Sequence, residues 1–411
     1  MKALLATTGT DGDIQPFMAL GQRLQREGHE VVIATSNHYD KRAASLGLPF
    51  AAIGPPWDDA IMNGHFTRIL AEKNPLKQLI LVVEAIEEDQ RASVPQLLEL
   101  ATGVDVVIYQ PLLVAAAAAA RAIGKAHVSV HLAPLHRARN YSPIGTNFGR
   151  FGNYLMWTAA NAMMRRATDH RLNTVVAAAG LAPWKDVLLS SSHSKLLDLV
   201  AVSPAVLARD PLSKPETLIT GYWFVDEPEF TPSKELLDFV SEEPPVVIGF
   251  GSMVVLDAAA VTKTILDAAA SLKRRVVLQS GWSGLGNVTL PPNVFRAGFV
   301  PHNWLHPRAA CILHHGGAGT TASALRAGVP QGIVWHLGDQ PMWGKNMQRL
   351  GVAPAALPHH KLTTSWLTKT IERLLSDESM IDKAKALGEV IRAEDGTGLA
   401  VRAIETAMDP K

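Results

Sequence analysis

Short apolar runs rich in β-forming residues alternate with helical patterns along almost the whole chain. The runs that predict buried strands lie at residues 3–6, 31–34, 104–108, 126–132, 199–202, 246–250, 276–279, 310–314 and 332–335. Continuous apolar runs, in place of apolar–polar alternation, are typical of parallel strands whose sheet is covered by helices on both faces. The pattern therefore predicts an α/β fold built from parallel, doubly wound sheets.

The first helix is predicted between the first two of these runs. We expect Pro16 to open it, because proline is favoured at the first helical position, and Gly28 to end it. Phe17, Leu20 and Leu24 then fall on one face, which would pack on the sheet.

The length of 411 residues is large for one domain. The stretch 206–245 is rich in proline and interrupts the strand–helix rhythm, so it predicts a linker. We expect two domains of similar pattern at 1–205 and 246–390, each beginning with a strand that runs into a glycine-rich turn. The remaining segment, 391–411, predicts a helix that packs back toward the first domain.

Composition excludes several classes of function. Lys and Arg total 39 against 38 Asp and Glu, which argues against a nucleic-acid partner because such proteins need a clustered basic surface. The single cysteine, Cys311, cannot form an intramolecular disulfide and favours a reducing compartment. The longest apolar run, 112–120, is too short to span a bilayer, and no signal peptide is recognisable, so we expect a cytoplasmic protein.

The strongest local signal for a ligand is the segment 311–321, in which a strand ends at two histidines and a glycine-rich turn follows. A helix is predicted to begin near Ala318, and the free N–H groups of a helix start bind anions. His315, Thr320 and Thr321 would add side-chain donors. No lysine stands where a Walker A loop requires one, which disfavours an ordinary P-loop ATPase. The alternative is a tight structural turn around a buried histidine.

Two further turns carry carboxylates. Asp339 and Gln340 follow the run at 332–335, where open α/β sheets bind ligands, and an acid beside an amide suits the hydroxyls of a sugar. Asp13 follows the first strand, where it could act as a general base. Each aspartate has a structural alternative, since either could cap the helix that follows it.

No metal site is predicted. The two candidate histidine pairs lack the accompanying Cys or acidic ligands that a metal ion needs, and the candidate acidic pair lies in the other half of the chain from the predicted phosphate turn. These pairs are Asp11 with Asp13, His302 with His306, and His127 with His131.

Together these motifs resemble the family-1 glycosyltransferases of the GT-B fold. Within that family the chain looks most similar to the branch that contains sterol glucosyltransferases, glycosyltransferases of antibiotic biosynthesis and rhamnolipid rhamnosyltransferases. The segments that carry the resemblance are 12–16, 249–253, 300–305, 314–321 and 338–341. Their order and spacing extend it over essentially the whole chain, and it implies two Rossmann-like domains facing each other across a cleft.

The resemblance implies roles residue by residue. Asp13 matches the catalytic base of the antibiotic branch, and Asp339 with Gln340 matches the pair that holds the donor sugar. The other donor residues that match are Phe299, Val300 and His302 for the nucleobase region, and Ser252, His315, Gly317, Ala318, Gly319, Thr320 and Thr321 for the diphosphate. One departure is Ser323, near which plant members carry a ribose-binding glutamate.

The resemblance also implies a nucleotide-sugar co-substrate, in the first place UDP-glucose, and no cofactor. Transfer would invert the anomeric carbon in a single displacement, with Asp13 taking the proton of the acceptor hydroxyl. The helix start, Thr320 and His315 would stabilise the departing diphosphate and so do the work of a metal ion. The residues leave open whether the nucleotide is UDP or dTDP, which sugar is moved, and the oligomeric state.

Acceptor choice is expected in the first domain, where aromatic and methionine side chains suit a bulky apolar molecule such as a sterol, polyketide, flavonoid or hydroxy-lipid. The candidates are Trp57, Phe66, Tyr141, Phe148 and Trp157. The alternative is that such residues fill helix cores. A lipid acceptor would allow peripheral membrane contact, for which Arg165 and Arg166 lie beside the apolar stretch.

Two other functions stay open: a nucleotide-sugar-binding partner without transfer activity, and a GT-B epimerase that acts on the nucleotide sugar alone. Retention of Asp13, Asp339 and Gln340 disfavours the first, and the apolar candidates of the first domain disfavour the second.

Overall fold

The chain divides into two compact units. Residues 1–228 with 394–411 form the first, and residues 229–393 form the second. The computed structural model describes residues 1–411 apart from 57–58, 73, 134–137, 252, 254–256, 282–283 and 410–411.

The first unit is a parallel sheet with helices on both faces. Its strands are β1 (Lys2–Ala6), β2 (Glu30–Thr35), β3 (Phe50–Ala52), β4 (Val106–Tyr109), β5 (Ala126–His131), β6 (Leu197–Val200) and β7 (Thr217–Ile219). Its helices up to residue 228 are α1 (Asp11–Arg26), α2 (Asp40–Ser45), α3 (Asp59–Ala71), α4 (Pro75–Thr102), α5 (Val114–Ala122), α6 (Gly149–Ala178) and α7 (Val187–Ser191), with a 3-10 turn at Asn37–Tyr39.

The strands of this sheet lie in the order β3-β2-β1-β4-β5-β6-β7, and neighbouring strands are parallel. β1 is an inner strand between β2 and β4, and Leu5 is in register with both Ile33 of β2 and Ile108 of β4. One face is covered by α1, which contributes Phe17 to the core, and the other by α4 and α5. Burial on both faces explains why the strands read as continuous apolar runs.

The second unit repeats this architecture. Its strands are β8 (Val246–Gly249), β9 (Val276–Gln279), β10 (Val294–Ala297), β11 (Cys311–His314), β12 (Gln331–Trp335) and β13 (Leu357–Pro358), in the parallel order β10-β9-β8-β11-β12-β13. Its helices are α8 (Lys234–Glu242), α9 (Ala258–Leu272), α10 (His302–Leu305), α11 (Ala318–Ala327), α12 (Gln340–Leu350), α13 (Thr364–Ser376) and α14 (Glu378–Ala393), with 3-10 turns at His306–Arg308 and His359–Lys361.

The prediction of two doubly wound parallel sheets is confirmed, and every predicted apolar run contains a strand. The sequence missed β3, β7, β10 and β13, which are the outermost strands of the two sheets. An outermost strand pairs on one side only and is less buried, so its apolar run is shorter. β13, for example, has two residues, and both are half-buried.

Helix α1 begins at Asp11, so the prediction that Pro16 opens it is wrong. Thr10 is the N-cap residue, and Pro16 lies inside the helix. Proline removes one intrahelical hydrogen bond there, a loss that the buried face of the helix offsets. The predicted end agrees with the structure, because α1 stops at Arg26 and Gly28 follows with a φ of +85°.

The stretch 206–245, predicted as a linker, is divided between the two units, and the boundary is corrected to residues 228 and 229. β7 pairs with β6, and Trp223 is buried in the core of the first unit. α8 belongs to the second unit, where Leu236 and Phe239 are core residues. The prolines therefore lie in segments that pack within the two units, and their number does not mark a linker.

The last helix, α15 (Gly396–Met408), belongs to the first unit, where it packs on α1 and β6. Val401 and Ile404 are fully buried in the core that α1 also lines. Arg23 of α1 donates two hydrogen bonds to the carboxylate of Asp395, at 2.8 and 3.2 Å. Apolar burial and this bidentate pair together fix the C-terminal segment.

The long helices α4 and α6 pack against each other in the first unit. Arg171 of α6 pairs with Glu84 and Glu87 of α4, at 2.9 and 3.4 Å. Within the ranges given above, no helix combines the length and the apolar character needed to cross a membrane.

Substitution Ile404→Ala should lower the free energy of unfolding of the first unit by about 2–4 kcal/mol, because it leaves a cavity in a closed core. Urea unfolding read by peptide-resolved hydrogen exchange scores the two units separately. Thr406→Ala, at an exposed position of the same helix, is the control and should change stability by less than about 0.5 kcal/mol. An equal effect of both variants would contradict the packing of α15 on the first unit.

Candidate functional site

The start of α11 has several backbone N–H groups without an intrahelical hydrogen bond. β11 ends at His314, Gly316 takes a φ of +85°, and α11 begins at Ala318. The first hydrogen bond of this turn runs from the Thr321 N–H to the carbonyl oxygen of Gly317 at 2.9 Å. The N–H groups at positions 318–320 precede that bond and point out of the helix end, where an anion is favoured.

His315 is held beside this helix start by two glycines. A Cβ atom on Gly317 would overlap with His315 Nε2, and one on Gly251, which has a φ of +59°, would lie 3.1 Å from Cε1. The imidazole is 8% exposed, and its Nδ1 atom has no hydrogen-bond partner among the described residues. Burial lowers the pKa of His315 well below its usual range, so the ring is neutral at physiological pH.

His314 has a structural part in the same turn. Its Nδ1 atom accepts a hydrogen bond from the Gly316 N–H at 3.0 Å, and Nε2 lies 2.8 Å from the amide oxygen of Gln331. Burial lowers the pKa of His314 to about 4, and the neutral ring can make both bonds at once. Of the two histidines, His314 shapes the turn and His315 keeps an unused nitrogen.

The two threonines of α11 differ in accessibility. Thr320 is half-buried at the helix start, whereas Thr321 is fully buried and its hydroxyl has no partner among the described residues. Thr320 is therefore the more accessible of the two hydroxyls, and the role expected for Thr321 stays a prediction. Ser252, predicted for the same site, lies outside the described residues.

Asp339 stands at the N-cap position of α12, yet its side chain makes no cap hydrogen bond. Its Oδ2 atom instead accepts a hydrogen bond from Trp343 Nε1 at 2.6 Å. Burial raises the pKa of Asp339, and the indole hydrogen bond opposes that rise. A helix-capping role is thereby disfavoured, and the carboxylate keeps lone pairs for a ligand.

Gln340 is buried, with most of its polar atoms engaged. Its amide oxygen accepts hydrogen bonds from the backbone N–H groups of His336 and Leu337, at 2.7 and 3.1 Å. Its amide nitrogen lies 3.5 Å from the sulfur of Met253, which is a weak acceptor. Gln340 therefore shapes the turn before α12 and retains only its NH₂ group for a ligand.

The predicted nucleobase region presents one open aromatic ring. Phe299 is 73% exposed, while Val300 is buried. His302 stacks on His306 with ring centroids 4.3 Å apart, and His306 Nδ1 lies 2.9 Å from the Ser323 hydroxyl. Burial lowers the pKa of His302 to about 4, so this stack is uncharged.

Asp13, in the first unit, has both carboxylate oxygens engaged at the start of α1. Oδ2 accepts the Thr10 N–H at 2.9 Å, and Oδ1 accepts the amide of Gln110 at 2.7 Å. Asp13 is thus the third helical residue, and the alternative that it is the N-cap residue is excluded, because Thr10 holds that position. The two donors fix the orientation of a half-buried carboxylate that can still accept further hydrogen bonds.

The candidate acceptor-binding residues differ in burial. Trp157 is buried, donates its indole N–H to the carbonyl oxygen of Tyr141 at 3.0 Å and packs edge-on against the Tyr141 ring. Phe148 is 50% exposed at the start of α6. Trp57 lies outside the described residues, as does the side chain of Phe66 in α3. Tyr141 and Trp157 thus pack against each other, and Phe148 is exposed to solvent.

No group of three or more His, Cys, Asp or Glu side chains that could hold a metal ion occurs in the described part of the chain. His127 Nδ1 lies 3.0 Å from the carbonyl oxygen of Lys125, and His131 Nε2 lies 2.8 Å from that of Ser192. Cys311 is fully buried, and burial raises the pKa of its thiol to about 12, which keeps it protonated and unreactive.

Sequence reasoning missed two residues that position the candidate carboxylates, Gln110 and Trp343. Gln110 directly follows β4, and β4 pairs with β1, so correct strand order would have placed it beside Asp13. Trp343 is four residues after Asp339, the spacing at which helical side chains meet.

Two parallel-sheet units, a helix start with free N–H groups and a carboxylate beyond the strand ends form the arrangement in which open α/β proteins bind ligands. Comparison with known proteins identifies the family. Residues 3–128 match the N-terminal domain of glycosyltransferase family 28, and residues 263–398 match the C-terminal domain of proteins like erythromycin biosynthesis protein CIII.

Named relatives cover nearly the whole chain. A Streptomyces fradiae O-mycaminosyltylonolide 6-deoxyallosyltransferase is 31% identical over 98% of this chain and 97% of its own length. A Sclerotinia sclerotiorum sterol 3-beta-glucosyltransferase is also 31% identical over 98% of the chain, but the chain spans only 29% of that protein's length. The crystal structure of a Streptomyces sp. SF2575 glycosyltransferase with thymidine diphosphate, 21% identical, superposes with a TM-score of 0.67 over 99% of both chains.

The chain therefore belongs to the GT-B glycosyltransferases, in the branch that holds the sterol and antibiotic enzymes. The resemblance drawn from the motifs is confirmed, and so is the GT-B fold.

Substitution Gly317→Ala should weaken binding of UDP or dTDP about tenfold or more, because the new methyl group displaces His315 from the helix start. Gly317 has a φ of −62°, which alanine adopts without strain. A loss of affinity would therefore be due to displacement of His315 and not to a change of backbone conformation. Isothermal titration calorimetry gives the dissociation constants. Gly64→Ala, where a Cβ meets nothing within 4 Å, is the control, and an unchanged affinity in Gly317→Ala would contradict the assignment.

Proposed function

We propose that this chain moves a hexose from a nucleoside diphosphate sugar to a hydroxyl group of a bulky apolar acceptor, with inversion at the anomeric carbon and without a metal ion. UDP-glucose is the first donor we propose. The observation that carries the proposal is the helix start of α11, where three N–H groups stand beside the neutral imidazole of His315.

The proposed electrostatics rest on that helix start. As the glycosidic bond to the diphosphate breaks, negative charge grows on the leaving phosphate oxygens. The dipole end of α11, the N–H groups at 318–320 and the hydroxyl of Thr320 would stabilise that charge. His315 would donate a neutral N–H, a contribution that stays constant across neutral pH because its pKa is so low.

Asp13 is the proposed general base. The acceptor oxygen forms a bond to the anomeric carbon as its proton passes to the Asp13 carboxylate, and the diphosphate leaves with the electron pair of the broken bond. Thr10 and Gln110 would hold the carboxylate in one orientation for this transfer. Attack from the face opposite the leaving group inverts the anomeric configuration.

The substrate classes are proposed from relatives. The Sclerotinia sclerotiorum protein is named for glucose and a sterol, and the Streptomyces fradiae protein for a 6-deoxyallosyl group and O-mycaminosyltylonolide. The second is matched over almost its full length, which favours a dTDP-6-deoxyhexose as the alternative donor. A sterol is a large apolar acceptor, which supports that part of the proposal.

Nucleotide release from UDP-glucose and from dTDP-6-deoxyhexoses, with and without pooled sterols, phenols and hydroxy-fatty acids, tests the proposal. Release should require one donor together with one acceptor pool, persist in EDTA, and give a product of inverted anomeric configuration by NMR. Release without any acceptor would favour hydrolysis or epimerisation. Binding of UDP and dTDP without release would favour a non-catalytic partner.

Substitution Asp13→Asn should lower kcat by a factor of about 10²–10⁴, the usual contribution of a general base. The dissociation constant for UDP, bound by the second unit, should stay within about twofold. Asp11→Asn, a neighbouring carboxylate in the same helical turn, is the matched control and should retain activity. Equal loss of UDP affinity in Asp13→Asn would make Asp13 a structural residue.

Substitution Trp343→Phe should shift the acid limb of the pH profile. The proposed sugar contact requires ionised Asp339, so kcat/KM for the donor falls as pH drops through the Asp339 pKa. Removing the indole donor takes away an interaction that lowers this pKa, so the limb should move to higher pH by about one unit.

Trp366→Phe, at a half-buried position of α13 in the same unit, is the control for loss of an indole. UDP affinity should be unchanged in both variants, because Asp339 is proposed to contact the sugar alone. A parallel loss of UDP affinity and melting temperature with an unmoved acid limb would assign Trp343 a packing role only.

A further inference from the structure

Helix α6 carries large apolar side chains on its solvent face. Phe148, Phe151, Leu155 and Met163 are 50, 75, 48 and 51% exposed. Their spacing of three, four and eight residues keeps them on one side, and the exposed Ala159 and Ala162 lie between them. We call Phe148, Phe151, Leu155, Ala159, Ala162 and Met163 the apolar stripe.

The opposite face of α6 is buried although it contains polar residues. Asn153, Asn161 and Thr168 are at most 3% exposed, beside the buried Trp157. Asn153 uses its amide to hold the preceding loop, accepting the Phe148 N–H and donating to the carbonyl oxygen of Arg139, both at 2.9 Å. The first part of α6 is therefore inverted relative to an ordinary surface helix, which places its apolar residues inward, as the second part of α6 does with Leu172, Val175 and Val176. An exposed apolar face of this extent marks an interaction surface.

Along residues 138–168 the charged side chains have one sign, although Asp186 and Asp210 contact this segment from elsewhere in the first unit. Between residues 138 and 168 the charged side chains are Arg139, Arg150, Arg165 and Arg166, without a single Asp or Glu. Arg165 pairs with Asp186 at 3.6 Å, and the other three arginines are exposed. Arg166 lies on the same side of the helix as the stripe, at its C-terminal end.

These features favour one kind of partner. Aromatic and aliphatic side chains flanked by arginines fit the boundary between headgroups and acyl chains of an anionic membrane, where the rings insert and the guanidinium groups bind phosphate. A second copy of the chain fits less well, because a twofold contact through the stripe would bring its arginines close to their own copies.

We propose that the apolar stripe and its arginines dock this protein on the surface of an anionic lipid bilayer. The benefit of docking rests on the proposed function. Apolar acceptors partition into membranes, and docking would bring the first unit to them. The stripe lies on the bilayer, with Phe148, Phe151 and Leu155 entering the interface.

Co-sedimentation of the full chain with vesicles tests the proposal, without donor or acceptor, so that its outcome is independent of transfer activity. The wild-type chain should bind phosphatidylcholine vesicles that contain phosphatidylglycerol, bind those of phosphatidylcholine alone more weakly, and dissociate as salt is raised. The variant Phe151→Ser/Leu155→Ser should lower the partition coefficient about tenfold.

Leu237→Ser/Val288→Ser removes two similarly exposed apolar side chains from the second unit, 44 and 51% exposed, and should bind like the wild type. Melting temperature and UDP affinity verify that both double variants are folded. Absence of wild-type binding, or equal binding by both double variants, overturns the proposal. So does light scattering that shows a dimer split by Phe151→Ser/Leu155→Ser, which would assign the stripe to a second copy.

Discussion

Parallel strand pairing is the constraint on which both candidate sites depend. When all strands of a sheet run in one direction, the turns that follow them meet at one edge. In the first unit this brings Gln110, after β4, to Asp13, after β1. In the second it brings Gly251, after β8, to His315, after β11, and Met253 to Gln340, after β12. Residues that are far apart in sequence become neighbours through strand order alone.

Burial gives the donor site its electrostatic character. The imidazoles of His302, His314 and His315 all have pKa values below the usual range because they are removed from water. None of these three imidazoles is therefore protonated at neutral pH. In the proposed site the attraction for an anion would come from the aligned peptide dipoles of α11, which do not titrate. The turn is closely packed, because Gly316, Gly317 and Gly251 permit contacts that a side chain would block.

The sequence predicts the inner strands of the two sheets better than the outermost strands. Continuous apolar runs identified the inner strands, whereas the outermost β3, β7, β10 and β13 lack the burial that produces such runs. At the sites, turn composition correctly placed the start of α11 at Ala318. It could not show that Thr321 is fully buried, that Thr10 is the N-cap residue of α1, or that Trp343 donates a hydrogen bond to Asp339, because these depend on packing in three dimensions.

The central claim is that the backbone N–H groups at the start of α11 bind the nucleotide diphosphate. Backbone amide NMR of the isotope-labelled full chain, titrated with UDP and with dTDP, observes those groups directly. The account predicts that the largest shifts fall on Ala318, Gly319 and Thr320, while the N–H groups at the start of α1 stay unmoved. Shifts confined to other segments, with these three amides unperturbed at saturation, would contradict it.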